Sequence, residues 1–157
     1  MKAEQKEFFD TIDSFRKLKL NSILPGITHG DSGILNLIYC CRERASGEGI
    51  KISDLVRESQ LPPPAISRSL RALESKGLVT RTVDPQDRRN TFVILTPAGE
   101  EMREEVDKIL SDLADAIFGT LGDETVQKLI EYLKSFLEAS RIEIERRKYE
   151  GRKGERE

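Results

Sequence analysis

The 157-residue sequence predicts a mainly α-helical protein carrying one small β-hairpin, and three observations point that way. Apolar residues recur at the i, i+3, i+4 spacing of helices through most of the chain. Capping residues, prolines and glycines punctuate that pattern where helices start and stop. Only residues 78–95 change character, to two β-branched runs on either side of a polar turn.

The elements follow in order. Residues 3–20 place Phe8, Ile12, Phe15 and Leu18 on one stripe and read as a first helix, broken by Pro25-Gly26. Thr28 is the expected N-cap of a second helix, with Asp31 three residues later as a weaker form of the capping box. That helix runs to about residue 45 and buries Ile34, Leu37, Ile38 and Cys41. Ser46-Gly-Glu-Gly49 is a loop, and residues 50–52 form a very short strand. Ser53 should cap a third helix, Ser53-Asp-Leu-Val-Arg-Glu-Ser59. A fourth, Pro64-Ala-Ile-Ser-Arg-Ser-Leu-Arg-Ala-Leu-Glu-Ser-Lys76, is closed by Gly77. Ile66, Leu70 and Leu73 fall at i, i+4 and i+7 and face the core, which leaves Pro64, Ser67, Arg68, Arg71 and Ser75 on the other side. The hairpin pairs Leu78-Val-Thr-Arg-Thr-Val83 with Thr91-Phe-Val-Ile-Leu95 across Asp84-Pro-Gln-Asp-Arg-Arg-Asn90. Thr96-Pro97, a capping threonine before a proline at the first helical position, opens a fifth helix to about residue 120. After Gly122-Asp123, a sixth spans residues 124–148 with Leu129, Ile130, Leu133, Phe136, Leu137 and Ile144 along one side. The charged end, residues 150–157, is expected to fray.

A short helix, a tight turn, a second helix and a basic ribbon together describe a winged helix-turn-helix, a shape that docks on duplex DNA. The expected division is a winged helix-turn-helix DNA-binding domain at 28–95, a helical dimerisation region at 1–27 and 96–150, and a charged tail at 151–157. The terminal helices carry more apolar stripe than residues 51–95 can cover, so a monomer would expose a large patch. Packing against a second copy is the simplest remedy. An intramolecular three-helix bundle is the other.

Charge supports the same division. The net charge is −2, yet residues 1–50 balance to zero, residues 51–95 carry eight basic and five acidic groups (+3), and residues 96–157 reach −5. The single net-positive segment is the one that would meet phosphate. Charged residues at 34% exceed the usual ~25%, which suits long exposed helices or a heat-adapted source. Two adjacent cysteines give no disulfide framework. The opening Met1-Lys-Ala-Glu-Gln-Lys-Glu7 lacks the apolar run of a signal peptide, and no stretch of 18 apolar residues could span a membrane, so a cytoplasmic protein without membrane partners is expected. No nucleophile–base set, phosphate-binding glycine loop or metal-ligand cluster stands out, so neither an enzyme nor a cofactor is expected.

The candidate contact residues follow from the exposed faces. Arg68 and Arg71, with Ser67 and Pro64, lie toward the start of the fourth helix, where arginine can bond guanine O6 and N7 in the major groove. Arg88 and Arg89 sit at the hairpin tip, where an arginine can enter a narrow minor groove. Asp87 could pair with Arg89 and shape that tip. The ordinary alternative is a solvated helix face and a polar loop, with such an ion pair worth roughly 0–1 kcal/mol. Cys40 and Cys41 are candidate redox residues, although mid-helix cysteines more often serve as small core residues. His29 is the only histidine, which argues against a histidine-rich zinc site.

Leu73-Glu-Ser-Lys-Gly-Leu-Val79, Asp84-Pro-Gln-Asp-Arg-Arg-Asn90 and Val93-Ile-Leu-Thr-Pro-Ala-Gly99, in an order of six helices with a wing, resemble the MarR family of bacterial and archaeal transcriptional regulators. The resemblance covers roughly residues 5–148. It implies a homodimer built from the first and last two helices, and a pseudo-palindromic operator bound usually as a repressor. It also implies that Ser67, Arg68 and Arg71 face bases or phosphates, that Arg89 is the minor-groove arginine, and that a small phenolic or apolar effector binds between the dimer helices and the DNA-binding lobe. Pro62-Pro-Pro64 departs from the family, which more often has polar residues there. Three prolines remove three backbone donors that could have met phosphate, and shift base readout to Ser67, Arg68 and Arg71. Two other readings stand beside this one. In one the chain is a cysteine-based redox-sensing regulator. In the other it is a winged-helix protein-interaction module without DNA, and Arg68, Arg71 and Arg89 are solvated charges.

Overall fold

Threonine caps set the starts of two helices as expected. The Asp31 N–H donates to Thr28 Oγ1 at 3.1 Å, and the Gly99 N–H donates to Thr96 Oγ1 at 3.1 Å. The computed structural model describes residues 2–44, 49–83 and 90–154. Their elements are α1 (Ala3–Arg16), a 3-10 turn (Leu20–Ser22), α2 (His29–Arg44), β1 (Ile50–Lys51), α3 (Ile52–Ser59), α4 (Pro63–Ser75), β2 (Val79–Val83), β3 (Thr91–Leu95), α5 (Pro97–Leu121) and α6 (Asp123–Gly154). The fold is mainly α with a small antiparallel sheet of order β1-β3-β2. Ile50 faces Val93 in one ladder, and Val79 faces Leu95 in the other.

Four boundaries differ from the sequence reading. α1 stops at Arg16: the Lys17 N–H is shared between the Asp13 and Ser14 carbonyls, and the Leu18 N–H donates to the Phe15 carbonyl three residues back, which tightens the chain out of the α-helix. Ser53 does not cap α3. The helix starts one residue earlier, with Lys51 extended at the cap position and no side-chain bond there. Pairing of Lys51 with Phe92 holds the backbone extended right up to the first helical residue. α4 opens at Pro63, not Pro64. α6 continues to Gly154, past the point where fraying was expected.

Chain contacts divide the molecule into Met1–Leu110 and Ser111–Glu157, with the division inside α5. The core of the first unit joins Ile34, Leu35 and Ile38 of α2 to Leu55 of α3, the three apolar positions of α4, Val79 and Val93 of the sheet, and Val106 of α5. Leu35 was not anticipated; it is fully buried, on a helix that packs against α3, α4 and the sheet. Each such side chain contributes roughly 1.5–3 kcal/mol of burial. Arg42 of α2 pairs with Glu100 of α5. Arg103 stacks 3.9 Å from the Tyr39 ring centroid and reaches Asp107 at 2.5 Å.

The second unit has the opposite character. Leu129, Ile130, Leu133, Phe136 and Leu137 of α6 are 43–53% exposed, and Ile117 and Phe118 at the end of α5 are 47% and 48% exposed. α1 likewise has no buried residue. Each stripe is thus open to solvent within its own unit.

Candidate nucleic-acid interface

The pairing of α3 with α4 depends on three turn residues. Gln60 takes a left-handed conformation (φ 55°), which ends α3 and turns the chain. Leu61 donates its N–H to Ser59 Oγ at 3.2 Å. Pro62, extended at φ −58° and ψ 140°, then leads into α4. The far end of α4 is closed equally firmly. Gly77 at φ 70° lets its own N–H reach the Glu74 carbonyl (2.9 Å) and the Leu78 N–H reach the Leu73 carbonyl (3.0 Å). This is a Schellman ending, with Leu73 and Leu78 buried across it.

Between those ends the two faces of α4 separate as the periodicity predicts. Ile66, Leu70 and Leu73 are fully buried. Pro64, Ser67, Arg68, Arg71 and Ser75 are all exposed. Three core anchors thus hold the orientation of the outward stripe. Neither Arg68 nor Arg71 has a carboxylate partner among the described residues; Arg71 folds back so that its Nε donates to the Ser67 carbonyl at 3.2 Å. Arg68 borders a shallow depression with Asp31, Ala65, Ser69 and Ala72.

The other basic groups of this segment are already engaged. Arg57 pairs with Asp54 (2.8 Å) and lies 3.5 Å from Glu58. Lys51 sits 5.6 Å from the Phe92 ring centroid. Arg81 of β2 is only 26% exposed at its side chain and reaches Glu74 of α4 at 3.1 Å, bracing the hairpin root against the helix. Lys76 donates to the Gly26 carbonyl at 2.6 Å, tying the end of α4 to the turn before α2. The +3 segment therefore offers its free positive charge mainly through Arg68 and Arg71 among the described residues. The Glu74 and Lys76 contacts were missed in the sequence, since each joins elements that only tertiary packing brings together. Asp87, Arg88 and Arg89 lie outside the described residues.

Cys41 is buried at the end of α2 and borders a groove with Lys51, Arg57 and Phe92, while Cys40 is half-buried on the same helix. No helix among the described residues is long and apolar enough to cross a membrane.

Comparison with known proteins follows the same lines. The sequence model of the MarR family matches residues 36–91. An uncharacterized HTH-type transcriptional regulator, YdgJ of Bacillus subtilis, is 32% identical over 108 residues, which is 69% of this chain and 62% of that protein. The match spans 58–62% of the length of the curated relatives YdgJ, FarR and SarZ. The S. aureus MepR–DNA complex is similar with a TM-score of 0.69 and 26% identity, covering 86% of this chain and 96% of that one. A MarR mutant from E. coli complexed with operator DNA gives 0.67 and 25%, covering 86% and 94%.

Proposed function

Because this chain belongs to the MarR family, we propose that it is a DNA-binding transcriptional regulator that places α4 in the major groove of its operator. Its relatives are named as transcriptional regulators, not enzymes. The observation that carries the reading is the stripe Ser67, Arg68 and Arg71. It is exposed and lacks carboxylate partners among the described residues, on a helix whose opposite face is fully buried. A protein-docking helix has no need to keep two arginines free of counter-charges, whereas a phosphate-rich partner does.

The working unit is a homodimer, in which a second copy covers the exposed apolar stripes of α1 and α6. Two copies of α4 then meet a pseudo-palindrome with half-sites about one helical turn apart, roughly 34–36 Å. Arg88 and Arg89, with Asp87 beside them in the sequence, enter the flanking minor groove. Occupancy represses, and a small apolar or phenolic effector relieves it by changing the spacing of the two α4 helices. A cleft of about 160 Å³ between the start of α2 and α5, bordered by His29, Ser32, Asn36, Arg103, Val106 and Leu110, has room for a single ring.

The test is binding of the full chain to fragments of its source genome at fixed salt. Arg68→Ala or Arg71→Ala should weaken binding by about 1–3 kcal/mol if the arginine reads a base, and should lessen the salt slope if it meets phosphate. Unchanged binding in both variants refutes the assignment.

A further inference from the structure

Leu61, Pro62, Pro63 and Pro64 open α4 without a single polar side-chain atom, and all four are exposed. Leu61 alone leaves 43% of its surface in water. The backbone there is closed as well. The prolines have no N–H. Ala65 and Ile66 donate theirs to the Pro62 carbonyl at 2.9 and 3.3 Å, and Leu61 donates to Ser59 Oγ at 3.2 Å. Residues 61–66 therefore hold no free N–H. This end of the helix cannot bond a phosphate as helix N-termini ordinarily do. Nor can it donate to purine N7 or guanine O6.

One feature of the major-groove edge needs no hydrogen bond at all, the 5-methyl group of thymine. Pro64 lies on the same helical stripe as Ser67, Arg68 and Arg71, at i+3, i+4 and i+7. The apolar head thus runs directly into the arginine face. We infer that Leu61 and Pro64, with Pro63 beside them, form an apolar platform that reads thymine through its 5-methyl group, in series with the arginines. This rests on the DNA-binding reading above and assigns a chemistry to the part of α4 that the missing donors would otherwise leave idle. The three prolines then do not silence this end of the helix. They exchange hydrogen-bonded readout for methyl readout.

The experiment is uracil interference. Duplexes bound by the full chain are selected from a random pool and resynthesised with thymines randomly replaced by deoxyuridine, which differs only by the lost methyl. Bound and free fractions are then mapped. One or two thymines in each half-site should weaken binding about fourfold when replaced, the factor matching ~0.8 kcal/mol for one buried methyl. That sensitivity should vanish in a Leu61→Ser, Pro64→Ser double variant while its salt-dependent binding persists; Leu61→Ser alone should reduce it if the double variant does not fold. Wild-type binding with no uracil-sensitive thymine overturns the inference, as does sensitivity unchanged in the variants. Failure of the wild type to retain any duplex overturns the DNA-binding reading itself, and this inference with it.

Discussion

Gly99→Ala should destabilise the protein strongly, although alanine is the better helix former. Gly99 sits in the first turn of α5, where a Cβ would lie 3.0 Å from the Leu78 carbonyl carbon and far inside the van der Waals radius of its oxygen. That oxygen accepts the Thr96 N–H at 3.1 Å, and Thr96 Oγ1 donates to the Gly77 carbonyl at 2.6 Å. Making room means sliding the start of α5 off the α4–β2 junction and loosening both bonds. Two lost hydrogen bonds cost about 1–3 kcal/mol and the overpacking about 1–3 kcal/mol more. Alanine returns about 1 kcal/mol of helix preference. The net loss is about 3 kcal/mol, or roughly 6–12 °C in Tm for a chain of this size. Gly33→Ala is the matched control. It lies within α2, a Cβ there meets nothing within 4 Å, and it should gain about 0.5–1 kcal/mol. Thermal unfolding at one protein concentration checks both, since association would shift Tm by mass action. A Gly99→Ala protein as stable as the wild type, or a Gly33→Ala protein that loses as much, refutes the close-approach argument.

Other expectations follow from single features. Hydrogen bonds from Arg146, and then Arg147, hold the Glu143 carboxyl down at about 2 from an ordinary 4.5. Its contribution to folding is thus fully present above pH 4.5 and fades as pH falls through about 2; an NMR titration placing Glu143 near 4.5 contradicts the pairing. Truncation after Thr120 should convert a dimer to monomer or aggregate, read by sedimentation, whereas a stable soluble monomer of the full chain at micromolar concentration argues against the second copy on α1 and α6. A Cys40→Ser, Cys41→Ser variant should keep operator binding, and low peroxide should leave the wild type on DNA because Cys41 is buried. Peroxide that releases the wild type but not the variant makes the redox reading the better one.

Periodicity and capping chemistry act within a few residues, so they determined what the sequence alone could say. Ile66, Leu70 and Leu73 had to share a face whatever surrounded them, and the exposed stripe of α4 followed from that. Thr28 and Thr96 capped their helices because the donors they satisfy lie three residues away. The Ser53 cap failed because pairing of β1 with β3, distant in the chain, kept Lys51 extended and started α3 early. The same distance hid what became of the positive charge. Eight basic groups in residues 51–95 looked equally available. Only packing brought Arg81 to Glu74 and Lys76 to the Gly26 carbonyl, leaving Arg68 and Arg71 free of carboxylates among the described residues. Local rules set each element and its faces. Which polar groups are consumed holding those elements together depends on how the elements pack against one another, and only the tertiary structure decides that.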